Sequence, residues 1–112
     1  MFQKDLGLSD LFDIYAPLLT EKKREVFLMY YSDDLSLAEI AEQTGTSRQA
    51  VRDLLGRTGD ELRSFEKALG LYEKFKTLSR LSDSLSASRE KITDSDARRA
   101  ADSLTAAIGE LL

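Results

Sequence analysis

The side chains with most to offer a ligand lie between Ser47 and Arg57: Ser47, Arg48, Gln49, Arg52 and Arg57. Arg and Gln present paired polar groups in one plane, the arrangement that fits guanine and adenine edges in a groove. Arg57, farther along, is placed to meet a phosphate. Asp53 works against this chemistry, since it adjoins Arg52 and repels a phosphate backbone. The competing reading of the same arginines is a solvated helix face laced with i,i+4 pairs.

Other chemistries are closed off by composition. There is no cysteine and no histidine. Disulfides, thiolate nucleophiles, Ser-His-Asp triads and Cys/His metal sites therefore cannot be built. Asp33-Asp34 with Glu39 and Glu42 lacks any Gly-rich phosphate cradle and reads as a solvated turn rather than a magnesium site. Tyr15, Tyr30, Tyr31 and Tyr72, with Phe27 and Phe75, recur at helical spacing and read as core rather than as base-stacking platforms. A non-enzymatic protein is expected, with no cofactor and no metal.

The net charge is −4. Strong nonspecific nucleic-acid binders neutralise many phosphates and are usually basic, so such a role is disfavoured. The charge is uneven, however. Residues 1–46 carry a net −5, residues 47–67 a net +1, and residues 68–112 balance at zero. The segment with the candidate contacts is thus the least acidic. No apolar run approaches a membrane span, and the acidic start of the chain has no leader pattern, so a cytoplasmic protein away from the membrane is expected.

These contacts need helices to position them. Strand signals are weak and helical spacing dominates. Ser9 is the expected cap of a first helix carrying Leu11, Phe12 and Tyr15, which Pro17 limits. Thr20 caps a second, with Val26, Phe27, Tyr30 and Tyr31 as its stripe. Ser36 and Glu39 form a capping box ahead of Leu37, Ile40 and Ala41, and Gly45 ends that helix. Ser47 caps the next, whose inner face is Val51, Leu54, Leu55 and Leu62. Gly56 and Gly59 each cost about 1 kcal/mol against alanine inside a helix. That helix is therefore predicted to end, bend or fray near residues 56–60, with Asp60 starting it again.

The segment 37–56 reads as a helix-turn-helix. Ala41 is the small residue at the crossing, Gly45 the turn residue that tolerates positive φ, and Val51 the apolar residue that packs back. An ordinary αα-corner is the bland alternative. The fold class predicted is all-α: a helix-turn-helix domain without a wing over residues 1–70, and a C-terminal helical arm over 71–112. The arm carries a stripe of Leu71, Phe75, Leu78, Leu81 and Leu85, a serine-rich segment at 82–91 read as a turn, and a last helix capped by Asp94 or Ser95. That helix bears Ala97, Ala100, Ala101, Leu104, Ala107, Ile108 and Leu111. So much apolar surface predicts a homodimer, or else a hairpin folded back on its own domain.

Several segments resemble the YlxM family of small bacterial proteins. They are Leu11 to Leu19, Thr20 to Glu25, Tyr30-Tyr31, Ser36 to Glu42, Ser47 to Val51 and Leu69 to Phe75. The resemblance covers about residues 8–76, and its helix-turn-helix part is also similar to region 4 of sigma factors. The tail beyond residue 80 does not read as the family's usual ending. The resemblance implies an all-helical, sigma-region-4-like fold. It also implies a role linked to the signal recognition particle, because the family is encoded beside that particle's protein components. The partners it implies are the particle's protein subunit and RNA. Two alternatives stay open: a DNA-binding transcriptional regulator of the sigma-region-4 type, and a protein-interaction scaffold.

Overall fold

Each helix boundary is set by a short-range device. In the computed structural model, which describes residues 4–112, six α-helices follow one another and no strand occurs among the described residues. Helix α1 is Gly7–Tyr15. Its start is fixed by Asp5, whose carboxylate accepts from the Gly7 amide at 3.1 Å, so Ser9 lies inside the helix and does not cap it. Pro17 sits in a 3-10 turn, Ala16–Leu18, where its missing N–H costs nothing. Helix α2, Glu21–Tyr31, starts at Thr20, whose hydroxyl accepts from the Lys23 amide. Asp34, at φ +60, lies between α2 and α3, a left-handed position that a short polar side chain tolerates.

Helix α3 is Leu37–Thr44. Both halves of its capping box form: the Glu39 amide donates to Ser36 Oγ, and the Ser36 amide to Glu39 Oε1, each at 3.1 Å. Those bonds favour the charged Glu39 and hold its carboxyl below the ordinary carboxylate range. Gly45 ends α3 in the left-handed region at φ +68, where a side chain would be strained.

Helix α4 runs unbroken over Arg48–Leu69, which corrects the expected interruption. Two glycine penalties are outweighed by a continuous buried stripe of Val51, Leu55, Thr58 and Leu62. Gly59 also has a packing reason. A Cβ built there would lie 3.0 Å from Leu8 Cδ1, so α1 approaches α4 more closely than alanine allows. Gly56 faces open space.

The described residues divide into two compact units, the first ending at Gly70 and the second Leu71–Leu112. In the first, α4 is the spine against which α1, α2 and α3 pack. One cluster of Val26, Tyr30, Ile40, Ala41, Val51 and Leu55 holds the crossing of α3 and α4. Phe12 stacks on Phe27, and Phe27 on Tyr31, at 4.3 and 4.2 Å between ring centres. Of the expected core residues, Phe12, Tyr15, Val26, Phe27, Ile40, Ala41 and Val51 are buried. Leu54 is only half-buried; Leu55 takes its place because it follows Val51 by four residues.

The second unit is a helical hairpin of α5, Leu71–Ala87, and α6, Ser95–Leu111. Helix α5 continues through Ser82, Ser84 and Ser86, so the expected turn at 82–91 is shorter and begins at Ser88. Serine is only a mild helix breaker, and the apolar period through Leu78 and Leu85 carries across it. Asp94 caps α6, accepting from the Ala97 amide at 2.8 Å. Among the described helices, none is long and apolar enough to cross a membrane.

Candidate nucleic-acid interface

The structure leaves Ser47, Arg48, Gln49, Arg52 and Arg57 exposed at the cap and in the first half of α4, with Arg57 on a separate flank from Arg48, Gln49 and Arg52. Ser47 caps the helix, its hydroxyl accepting from the Ala50 amide at 3.0 Å. Its role is therefore to start the helix cleanly. The opposite side, Val51 and Leu55, is locked into the core, so the exposed residues cannot rotate inward. This is the helix-turn-helix arrangement, in which the second helix offers its N-terminal residues to a groove.

The charges are arranged more selectively than the composition shows. In the first unit, four of the cations tie its elements together: Lys4, Lys23, Arg24 and Arg63. Lys4 pairs with Asp34, Lys23 with Glu61 at 2.5 Å, and Arg63 with Asp5 at 2.8 Å. Arg24 donates to the carbonyls of Ala16 and Leu19, at 3.3 and 2.5 Å, and closes the 3-10 turn. Arg63 holds the Asp5 carboxyl below its ordinary range, and Lys4 does the same for Asp34. Among the described residues, Arg48 and Arg57 take part in no ion pair. Those two guanidinium groups of α4 are thus left for a ligand.

Gln49 is not idle. Its amide donates to Asp53 Oδ1 at 2.8 Å, an i,i+4 bond along the helix. The second amide N–H and the carbonyl oxygen of Gln49 remain for an adenine edge. Asp53, counted from the sequence only as a repulsive charge, is therefore also a hydrogen-bond partner of Gln49. Arg52, Asp53, Gly56, Arg57 and Asp60 line one open concavity, floored by the bare backbone of Gly56. Three aromatic candidates for base stacking, Tyr15, Phe27 and Tyr30, are buried in the core. Tyr15 donates instead to Glu66 at 2.6 Å. Of the acids at 33–42, Asp34 pairs with Lys4 and Glu39 closes the capping box.

Sequence reasoning missed Lys22. It is the second residue of α2, exposed and in no ion pair among the described residues. With Arg57 it lines a small concavity beside the helix-turn-helix turn. Its distance in sequence from Arg57 hid the pairing; the cap at Thr20, which sets the phase of α2, was the one local signal.

Comparison with known proteins agrees with this geometry. A family model described as "Putative helix-turn-helix protein, YlxM / p13 like" matches residues 2–101. The likeness therefore reaches well into α6, beyond the 8–76 span seen by inspection, and the serine-rich tail is no departure from the family. A UPF0122 protein of Shouchella clausii is 44% identical over 111 residues, 99% of each chain. One of Symbiobacterium thermophilum is 44% identical over 96 residues, 86% of this chain and 90% of that one. A UPF0122 protein of Clostridium botulinum is 55% identical over 67 residues, 60% of this chain and 62% of that one. Identity is thus higher over the shorter stretch than over the whole chain. On the match over residues 2–101 and these relatives, the chain belongs to the YlxM / p13-like helix-turn-helix family.

Proposed function

We propose that the protein is a non-enzymatic, cytoplasmic accessory factor that binds nucleic acid through the first half of α4 and acts in the signal recognition particle pathway. The observation that carries the binding half is the exposed set Arg48, Gln49 and Arg52 on a capped helix whose other side is fixed in the core. The pathway half rests on the resemblance to a family encoded beside the particle's components. The acidity of residues 1–46 favours a basic partner, because opposite charge speeds encounter. The particle's RNA-binding protein subunit, with its RNA, is such a partner. A second copy of this chain is proposed as a further partner, seated on the outer leucines of α5 and α6.

The test is binding of the purified protein to the particle's protein subunit, to its RNA and to the assembled pair, each at low and moderate salt. Binding to the RNA or the pair, weakened about 5–150-fold per residue by Arg48→Ala or Arg52→Ala, is expected if each loses a contact worth about 1–3 kcal/mol. Unchanged affinity of the double variant for both DNA and RNA overturns the residue assignment. No binding to any of the three, with enrichment of particular promoter fragments from genomic DNA, replaces the pathway reading by a DNA-binding regulator.

A further inference from the structure

The concavity beside the turn is walled by three helices that are separate in sequence. Lys22 and Val26 come from α2, Thr44 from the end of α3, Thr46 from the turn, and Ala50, Val51, Leu54 and Arg57 from α4. Its volume is about 130 Å³, too small for a nucleotide or a drug-sized ligand. The floor is apolar, built from Val26, Val51 and Leu54. The two cations among its lining residues are Lys22 and Arg57. Neither takes part in an ion pair among the described residues. Elsewhere in this unit Lys4, Lys23 and Arg63 do find carboxylates. Two exposed cations that meet no carboxylate therefore share one small cleft, in a unit of net negative charge.

The threonines do not supply the binding donors. Thr44 Oγ1 donates to the Ile40 carbonyl at 2.8 Å, so it accepts from Thr46 Oγ1 at 2.9 Å. Both protons are spent inside the turn, and both hydroxyls act as fixed walls. The Thr46 amide is likewise spent, on the Ala41 carbonyl at 3.0 Å. What remains to meet a ligand at the mouth is positive charge on two long side chains. That is the chemistry of a single oxyanion held between two cations.

We propose that Lys22 and Arg57 clamp one backbone phosphate of the nucleic acid over the Thr44–Thr46 turn. This rests on the nucleic-acid reading above and adds to it a contact from α2, outside the helix-turn-helix. The clamp lies on the flank of α4 that carries Ala50, Leu54 and Arg57, beside the exposed face that carries Arg48, Gln49 and Arg52. A strand gripped there fixes the register at which Arg48, Gln49 and Arg52 meet base edges, since phosphate contacts position and base contacts specify. Glu21 and Glu25 line a separate groove with Lys22, so the cation patch is bounded by negative charge. A second phosphate on that side is repelled, which limits the clamp to one.

The salt dependence of binding tests it, with a short mixed-sequence DNA duplex and an RNA hairpin as probes. Each phosphate contact contributes about 0.9 to the slope of log affinity against log salt on duplex DNA. The double variant Lys22→Gln/Arg57→Gln should lower the slope by that amount, about eightfold in affinity at 0.1 M salt, and each single variant by part of it, equally for all sequences. Lys22→Arg should restore it, and Thr46→Ala should leave it unchanged. Both cations are exposed, so circular dichroism of every variant should match the wild type. If the wild type binds and Lys22→Gln leaves the slope intact, the clamp is wrong while the nucleic-acid reading stands. If no variant and no wild type binds either probe, both fall. A parallel titration with inorganic phosphate separates the sources: side-chain signals of Lys22 and Arg57 that shift with free phosphate, while the nucleic-acid slope ignores Lys22→Gln, mark an isolated anion site and also overturn the clamp.

Discussion

The first unit buries its apolar residues and the second does not. Among the described residues up to Gly70, twelve hydrophobic side chains are buried, from Leu8 to Leu62, with Ile40 and Leu62 completely inaccessible. In Leu71–Leu112 no residue is buried, and Leu81, Leu104, Leu111 and Leu112 stand 50–56% exposed. The difference follows from geometry. Three helices around a spine enclose an interior, whereas two helices have only a seam. Along that seam α5 offers Phe75, Leu78, Ser82 and Leu85, all half-buried, and α6 offers Ala101, Thr105 and Ile108. The seam is shallow and partly polar, and the leucines lie beside it. One unit is thus a self-sufficient platform for α4. The other leaves its leucines outside its seam, and its zero net charge places no repulsion in the way of the second copy proposed above. Two hairpins face to face make a four-helix bundle, the smallest arrangement that covers such stripes.

The sharpest way to break this contrast is to damage each unit at its centre. Val51→Asp places an unpaired charge where the side chain is 2% exposed, at the crossing of α3 and α4. A loss of about 3–5 kcal/mol is expected, most of the stability of a small domain. Thermal melting followed by circular dichroism should show the first unit unfolded at room temperature, and an unchanged melt removes Val51 from the core. In the second unit the expected response is associative. Leu104→Asp should convert a dimer to a monomer of 12.6 kDa by sedimentation at tens of micromolar, with loss of helix confined to the hairpin. A wild-type monomer under the same conditions removes the second copy.

Much of the first unit was legible because its signals are local. Thr20, Ser36 with Glu39, Gly45 and Ser47 each fix a boundary within one turn, and Ala41 and Val51 fix the crossing. What the residues did not disclose is non-local. The unbroken α4 depends on the buried stripe from Val51 to Leu62 and on α1 lying against Gly59, neither of which a propensity scale contains. The clamp at Lys22 depends on α2 being brought beside α4. The same limit applies to Ser82, a turn former by type that the apolar period on either side holds in a helix. Arg48, Gln49 and Arg52 were legible as a set, but the bond from Gln49 to Asp53 requires the rotamers.

The two glycines of α4 give a smaller and more discriminating test, because the same substitution should act in opposite directions. Gly56 faces open space, so Gly56→Ala should stabilise by about 0.5–1 kcal/mol, the ordinary helix-propensity gain. Gly59→Ala has the same gain available, but its Cβ meets Leu8 Cδ1 at 3.0 Å. Leu8 is itself buried and has little room to give. The clash should cancel the gain or exceed it, by about 1–3 kcal/mol in an overpacked core. Chemical denaturation of the two variants side by side reads the difference. Equal stabilisation of both means that α1 does not press on α4 at Gly59.

The smallest expected effect concerns the ion pair that ties the end of the hairpin's connection to α6. Arg89 lies in a 3-10 turn, Arg89–Lys91, and grips Asp102 with two parallel bonds, Nε to Oδ1 at 2.7 Å and Nη2 to Oδ2 at 3.0 Å. The Arg89 hydrogen bond is the largest influence on Asp102 and holds its carboxyl below the ordinary value of 3.8. A carboxyl lowered in the folded state stabilises that state above its unfolded pKa, and the contribution is lost as pH falls through the lowered value. The hairpin should therefore hold its pH-dependent stability at neutral pH and surrender it only below about pH 4. Both partners are on the surface, so the effect is small and is screened by salt. Asp102→Asn removes the charge while keeping the shape. Its hairpin should melt slightly lower at pH 7 and lose this part of the acid sensitivity, by circular dichroism between pH 7 and pH 2. If Asp102→Asn follows the wild type across that whole range, the fork is a surface contact without consequence, and the hairpin owes its closure to the apolar seam alone.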